Sequence, residues 1–402
     1  MHVLFVHKNF PAQFGHIAAA LTRQGHRCTF VSQTPAGTVD GIGKIQYTLR
    51  GGATRHTHYC SRTFENATWH AHAVYEALQA RPDIRPDLVV GHSGFGSTLF
   101  LRELYPGTPL LNYFEYFYRP RNSDLDFRPE WPPSEQDRLR AYTRNAMILL
   151  DLEYCTAGYT PTHFQHGLFP QAYRPKIEVI HDGIDAAFWH PKAGSSTKYL
   201  LDIPPQARII TYVARGFESM RGFDIFLQAA RKIYTRRPDV HFLVIGEDRV
   251  AYGGDLRHTG GRSFKEYLLE QDGYDLRHLH FLGRVPPRTL AAILARSDLH
   301  IYLTVPFVLS WSLLNAMSCG CTVLASDTAP VQEVIEAGHN GLLCDFFDVD
   351  GFAEAALDVL RTPRKFRRTL GAAARRTVEE RYAFRVTFPR LLTLFERLAE
   401  HP

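Results

Sequence analysis

The sequence predicts an α/β fold made of two doubly wound parallel sheets, and three observations carry that prediction. Apolar, β-prone runs alternate with amphipathic stretches through the first half of the chain. The same alternation recurs in the second half without close sequence repetition. Between the halves lies HDGIDAAFWHPKAGSSTKYLLDIPP, residues 181–205, rich in Gly, Pro and Ser. Strands alternating with helices imply parallel strands joined by crossover helices that cover both faces. The bridge places a boundary near Pro191–Thr197. The expected domains are residues 1–192 and 193–375, followed by a helical segment at 376–402.

The elements follow in order. HVLFV opens the chain as a buried strand, and Gly15–Gln24 reads as a helix closed by Gly25. Arg27–Ser32 is a second strand. Asp87–Gly91 is another, leading into HSGFG and a helix at Ser97–Leu104, and Pro109–Phe114 is a further strand. In the second half Arg208–Ala214 is a strand, Gly222–Tyr234 a helix and His241–Gly246 a strand. His280–Gly283, Leu299–Leu303 and Thr322–Ala325 are three more. Trp311–Ser318 reads as a helix capped by Ser310 and ended by Gly320. Gly371–Glu400 has helical periodicity, broken near Tyr382–Phe388. Two stretches read as insertions, 119–137 and the Gly-rich 248–264, the latter expected to be a mobile loop. Loops of this length are often lids or binding surfaces, and the alternative is a solvated excursion.

Composition narrows the class. The chain has 402 residues, 45% hydrophobic and 22% charged, enough for two globular domains. No apolar run reaches the roughly eighteen residues of a membrane span. MHVLFVHKNF enters a strand without the features of a signal peptide, so cytoplasmic residence is the default expectation. Six scattered cysteines argue against a disulfide framework, and Cys319-Gly-Cys321 is too close for a usual zinc pair. The net charge of +5 would suit an anionic donor, a phospholipid surface or a nucleic acid alike. The basic run RTPRKFRR, 361–368, reads as a solvated helix face, with peripheral contact at the inner membrane surface as the alternative.

Two places carry chemistry. In the stretch Leu303–Asp345 a strand meets a loop and then the helix capped by Ser310. A helix N-terminus leaves backbone N–H groups free and favours a phosphate, so Leu309, Ser310, Trp311 and Ser312 are candidate donors, with Trp311 as a wall. Upstream, Arg215 and Arg221 flank the turn RGFESMRG between a strand and a helix. Cations near a helix start oppose the dipole, whereas fixed guanidinium groups neutralise a bound phosphate well. GHSGFG at 91–96 lacks the spacing of a dinucleotide fingerprint. His70 and His72 cannot share one helix face, so they and His56 and His58 give a weak metal reading.

The block VLSWSLLNAMSCG, 308–320, resembles the signature of the retaining glycosyltransferases of family 4, which have the GT-B fold of two facing Rossmann-like domains with a cleft between them. Asn315-Ala316-Met317-Ser318-Cys319-Gly320 matches its second half. The two family glutamates fall on Val308 and Asn315. Asn315 can bind a ribose diol, but without charge assistance. Val308 cannot make the sugar contact of the first glutamate, so either a neighbour supplies it or the sugar presents an apolar face there, as a deoxysugar would. The family's Arg…Lys-Gly pattern is similar to Arg215…Arg221-Gly222, with arginine in the lysine's place.

Further assignments rest on that resemblance. PLLNYFE, 109–115, is similar to the family segment that ends in a histidine under the reacting sugar, and Glu115 occupies that place. Its carboxylate could accept a sugar hydroxyl, stabilise charge at the anomeric carbon or act as a base, the alternative being a pair with Arg119 or Arg121. His92 is the second catalytic candidate, the alternative being a core histidine. Tyr113, Tyr116 and Tyr118 are acceptor-side candidates. Gly15 is what is left of the family's Gly-rich loop near the donor. Glu247 and Arg284, at strand exits, are expected near the ribose and base. His181–Asp185 looks like the family's hinge entry, with Gly183 at positive φ, and the final helix is expected to cross back to the first domain.

The resemblance implies a metal-independent retaining glycosyltransferase. Its donor would be a nucleotide-diphosphate sugar, UDP- or GDP-linked, with no other cofactor. The acceptor could be a glycan, a lipid, a protein or a small molecule. Three alternatives stay open: a sugar-nucleotide epimerase on the same fold, a catalytically weak nucleotide-sugar binder, and a DNA-modifying transferase, although nucleic acid is not the expected partner.

Overall fold

Strand β1 (His2–Val6) is buried along its whole length and lies in the middle of an eight-stranded sheet. The others are β2 (Arg27–Ser32), β3 (Gly37–Val39), β4 (Ile42–Gln46), β5 (Leu88–His92), β6 (Leu110–Tyr113), β7 (Ala157–Thr160) and β8 (Ile177–Val179). Their order is β3-β4-β2-β1-β5-β6-β7-β8. All pairs are parallel except β3–β4, where a short exposed strand closes the edge in the antiparallel sense. That edge was not legible as a strand, because Gly37–Val39 carries no apolar run. The computed structural model describes residues 1–193 and 203–400.

The second sheet has six parallel strands, β9 (Arg208–Gly216), β10 (Val240–Glu247), β11 (Leu279–Gly283), β12 (Leu299–Tyr302), β13 (Val323–Ser326) and β14 (Leu342–Cys344). Their order is β11-β10-β9-β12-β13-β14. Helix Phe223–Arg236 follows β9, and nine of its residues are buried, as crossover packing onto the sheet requires. Helix Trp311–Ser318 is buried from Ser312 to Ser318 and packs with Leu313, Leu314, Met317 and Cys319 into one core cluster. Both sheets are therefore Rossmann-like, as the alternation of elements predicts.

By residue contacts the chain divides into Met1–Asp182 with Thr387–Pro402, and Gly183–Val386. The expected boundary near Pro191–Thr197 runs into residues 194–202, which lie outside the described residues. The change of unit comes earlier, at Asp182/Gly183. Gly183 takes φ 90°, and Ile184 then hydrogen-bonds Tyr382 and Phe384, so the backbone is already tied to the second unit there. In the first unit the end of the last helix, Phe384–Glu400, packs on the first sheet. Phe395 lies 6.3 Å from Phe5, and Arg390 donates to the Val179 carbonyl at 2.9 Å.

Two local expectations are corrected. The helix expected at Ser97–Leu104 shrinks to Leu101–Leu104: Gly94 and Gly96 take positive φ just before it, and the Thr98 carbonyl accepts the Leu101 N–H in a tight turn. The stretch 248–264, expected to be a mobile loop, is fastened by buried carboxylates and ends in a capping box at Ser263.

Candidate active site

Ligands of open parallel sheets bind beyond the carboxyl ends of the strands where the strand order reverses. In the second sheet that point lies between β9 and β12. Arg215 and the turn to Arg221 leave β9 there, and Leu303 and Thr304 leave β12. Arg221 is 5% exposed. Its Nη1 donates to Thr304 Oγ1 at 2.7 Å and to the Tyr302 hydroxyl at 3.4 Å, and its Nη2 donates to the Val308 carbonyl at 3.1 Å. The Tyr302 hydroxyl also accepts the Ser310 N–H at 2.9 Å. One phenol therefore joins the buried guanidinium to the cap of helix Trp311–Ser318. Ser310 accepts the Ser312 N–H at 3.3 Å, and Ser312 Oγ donates to the Val213 carbonyl on β9. Arg221, Val308, Ser310 and Ser312 thus converge, and Arg215 joins Arg221 around the Tyr252 ring, although they come from separate stretches of chain; the Leu309 side chain instead packs into the core beside Leu313.

Arg215 differs from Arg221 in being exposed, as is Trp311 at 41%. Asn315 is buried and its carboxamide makes no hydrogen bond to any described residue. A nearly buried amide without a partner costs stability, on the order of 1–3 kcal/mol, unless something else meets it. Glu247 ends β10 opposite Gly216, and its carbonyl accepts the Phe217 N–H at 3.1 Å. Its carboxylate is held by Arg249 at 2.8 Å. Arg284 is exposed just past β11, the edge strand, so the structure does not bring it to the β9–β12 point.

In the first sheet the order reverses between β1 and β5. The register Val6↔Gly91 brings the next residues, His7 and His92, side by side, with ring centroids 5.2 Å apart. His92 is buried, between Phe95 and Tyr113. Its Nδ1 lies 2.8 Å from the Ser93 carbonyl, which fixes a proton on that nitrogen and leaves Nε2 as acceptor in the neutral ring. Nε2 faces Glu115 Oε2 at 3.7 Å, and the Glu115 side chain is 43% exposed. With both atoms acting as acceptors, a hydroxyl placed beside them can donate its proton to one of the two. Arg119, the alternative partner for Glu115, donates to the carbonyls of Gly167 and Leu168.

Burial pushes His7 down to about 3, with the neighbouring His92 adding to it, so His7 is a neutral ring. Asp151 sits behind this pair. It accepts from Ser93 Oγ and the Gly94 N–H, both at 2.9 Å, while its Oδ1 has no hydrogen-bond partner among the described residues. Burial pushes its carboxyl up to about 7. His7 was missed in the sequence, yet a signal existed: it is the first polar residue after the apolar run of β1. Asp151 had none, because its role depends on a loop more than fifty residues away.

Four expectations change here. Gly15 is the first residue of helix Gly15–Arg23, with ordinary helical φ. A Cβ there would stand 2.3 Å from Pro11 Cβ, so its smallness answers to a close approach by Pro11. Tyr113 is a core residue, 3% exposed, whose hydroxyl donates to Asp182 at 3.3 Å, and it supports His92. Tyr116 is also buried, donating to Asp124 at 2.7 Å, while Tyr118 carries the Arg144 guanidinium 3.5 Å from its ring centre. Among the described residues no group of three or more His, Cys, Asp or Glu is placed to hold a metal ion.

Residues 24–189 match the model described as glycosyl transferase family 4 group, and residues 200–377 match that for glycosyl transferases group 1. Together the two matches span most of the chain, which belongs to the glycosyl transferases of family 4, group 1. It is 26% identical over 224 residues to a phosphatidyl-myo-inositol mannosyltransferase of Mycolicibacterium smegmatis, covering 55% of this chain and 52% of that protein. This family member thus spans about half the length of the curated relatives it matches. Its fold is that of the GT-B glycosyltransferases. A sucrose-phosphate synthase from Thermosynechococcus elongatus superposes with a TM-score of 0.74 at 18% identity, over 100% of this chain and 99% of that one. Anabaena HepE in complex with UDP-glucose superposes with a TM-score of 0.72 at 15% identity, over 99% and 100%. No described helix is long and apolar enough to cross a membrane.

Proposed function

We propose that the protein transfers a sugar from a nucleotide-diphosphate sugar to an acceptor hydroxyl with retention of configuration. The observation that carries this reading is the convergence of Arg215, Arg221 and the capped helix at the reversal point of the second sheet. Two guanidinium groups and a helix N-terminus gather positive charge where a leaving diphosphate develops negative charge. That arrangement supplies what a divalent cation supplies in other transferases, so the reaction is proposed to run without one. Support for the donor class comes from family membership and from HepE, which is seen with UDP-glucose.

The donor's ribose is assigned to Asn315, whose carboxamide has no hydrogen-bond partner among the described residues, and the sugar to the side of Val308. The acceptor is assigned to the first unit, where Glu115 and His92 present two acceptor atoms to a hydroxyl. In the reaction the acceptor oxygen bonds to the anomeric carbon as the carbon–phosphate oxygen bond breaks. The departing phosphate takes the hydroxyl proton on the same face, which gives retention.

The test is a thermal-shift screen of UDP-, GDP-, ADP- and TDP-sugars, followed by incubation of the stabilising donor with acceptors and NMR of the product. The expected result is an axial or equatorial linkage matching that of the donor, unaffected by EDTA. An inverted product, or a new sugar-nucleotide isomer formed without acceptor, would overturn the reading.

A further inference from the structure

The turn that carries the two arginines is not held by its own backbone alone. Glu218, in the middle of it, is fully buried. Its Oε2 accepts three successive N–H groups, from Ala251 at 3.1 Å, Tyr252 at 2.9 Å and Gly253 at 3.0 Å. Its Oε1 has no hydrogen-bond partner among the described residues. A second carboxylate works in the opposite direction: Asp255 accepts the Ser219 N–H at 2.9 Å and the Ser219 hydroxyl. Each of the two segments therefore contributes a buried carboxylate to the other. Gly216 permits the approach, since a Cβ there would stand 2.3 Å from the Arg249 carbonyl.

The outcome of this fastening is the position of one side chain. Tyr252 is 41% exposed. Its ring centre lies 5.4 Å from the Arg221 guanidinium carbon, 5.9 Å from that of Arg215 and 5.6 Å from the Phe307 ring. A ring within about 6 Å of a guanidinium attracts it through the quadrupole of its face. Arg221 is buried and held by Thr304 and Val308, Arg215 is exposed, and the one ring stands against both guanidinium groups.

We infer that Tyr252 is a positioning residue for the donor diphosphate, holding Arg215 and Arg221 as a pair that spans two phosphates. The inference rests on the donor reading above. It concerns the strap 248–263, which no motif of the sequence assigned to the site. Because the ring acts on the pair, its loss falls on diphosphates and spares monophosphates, which need one guanidinium. The hydroxyl has no part in this, so phenylalanine substitutes.

Calorimetry on the full chain with UDP, GDP and ADP, and with the monophosphate of whichever binds, tests the inference. Tyr252→Leu is expected to weaken the diphosphate about tenfold and the monophosphate less than about twofold, with Tyr252→Phe within about twofold of wild type throughout. Equal losses for both nucleotides, no loss in Tyr252→Leu, or a Phe variant as weak as the Leu variant would overturn it. If the wild-type chain binds none of the three diphosphates, the donor reading falls and this inference falls with it. Wild-type binding that Tyr252→Leu leaves intact removes this inference alone.

Discussion

Arg221 Nη1 donates to Thr304 Oγ1 at 2.7 Å, a bond between two buried side chains that leave neighbouring strands of the second sheet. A buried guanidinium N–H without a partner costs roughly 1.5–3 kcal/mol. Thr304→Val keeps the shape and removes the acceptor. The variant is expected to melt at lower temperature and to bind its nucleotide donor about tenfold more weakly, both read in one thermal-shift titration. Unchanged melting would show that the bond contributes nothing to the turn.

Arg215 separates binding from folding. It is exposed, so Arg215→Ala should leave the melting temperature where it is. Transfer should fall by about a hundredfold or more, the scale of a lost charge stabiliser in the transition state. Steady-state rates beside a melting curve check both halves.

Asn315→Ala removes an amide that no described residue satisfies. The expected signature is a donor KM raised about three- to tenfold, the scale of one hydrogen bond, with stability unchanged or higher. Replacement of the amide by Glu tests donor choice: a buried carboxylate is expected to lower stability in the absence of donor.

Glu115→Gln keeps the size and loses the charge facing His92 at 3.7 Å. A drop of about a hundredfold in kcat with donor affinity unchanged is expected if the pair handles the acceptor hydroxyl. A change confined to donor binding would place Glu115 elsewhere in the cycle.

Asp151 gives a pH dependence with a definite sign. Its carboxyl is pushed up by burial to about 7, from an ordinary value of 3.8. The folded chain therefore binds a proton that the unfolded chain has released between those values. Its stabilising contribution is complete below about 4 and is lost as pH rises through about 7. Asp151→Asn carries no titrating group there, so the melting temperature of the variant relative to wild type should climb from pH 5 to pH 8.5. A difference that stays flat over that range would refute the buried-acid account.

How far the site could be read in advance depended on the kind of information each residue carries. Ser310, Trp311–Ser318 and Gly320 follow from local rules: a capping hydroxyl, a helix-length apolar stripe and a glycine that takes φ 70° after the last turn. Arg215 and Arg221 were legible because cations beside a helix start are out of place. Tyr113 misled, since an aromatic beside Glu115 looks the same whether it faces a ligand or the core. The side it faces is set by strand pairing, and β6 lies between β5 and β7 well inside the sheet.

By itself the sequence determined the two parallel sheets, the capped helix, the arginine pair and the family. All of these are written in residues close together along the chain, where periodicity and turn chemistry act. Tertiary structure alone decided the partners. Strand register set His7 beside His92. Burial left Asp151 and Glu218 to be satisfied by backbone N–H groups from distant loops, and so turned the stretch 248–263 from an excursion into a strap over the arginines. Contacts between segments far apart in sequence depend on which strands pair and which charges lose water, and neither is a property of any short run of residues.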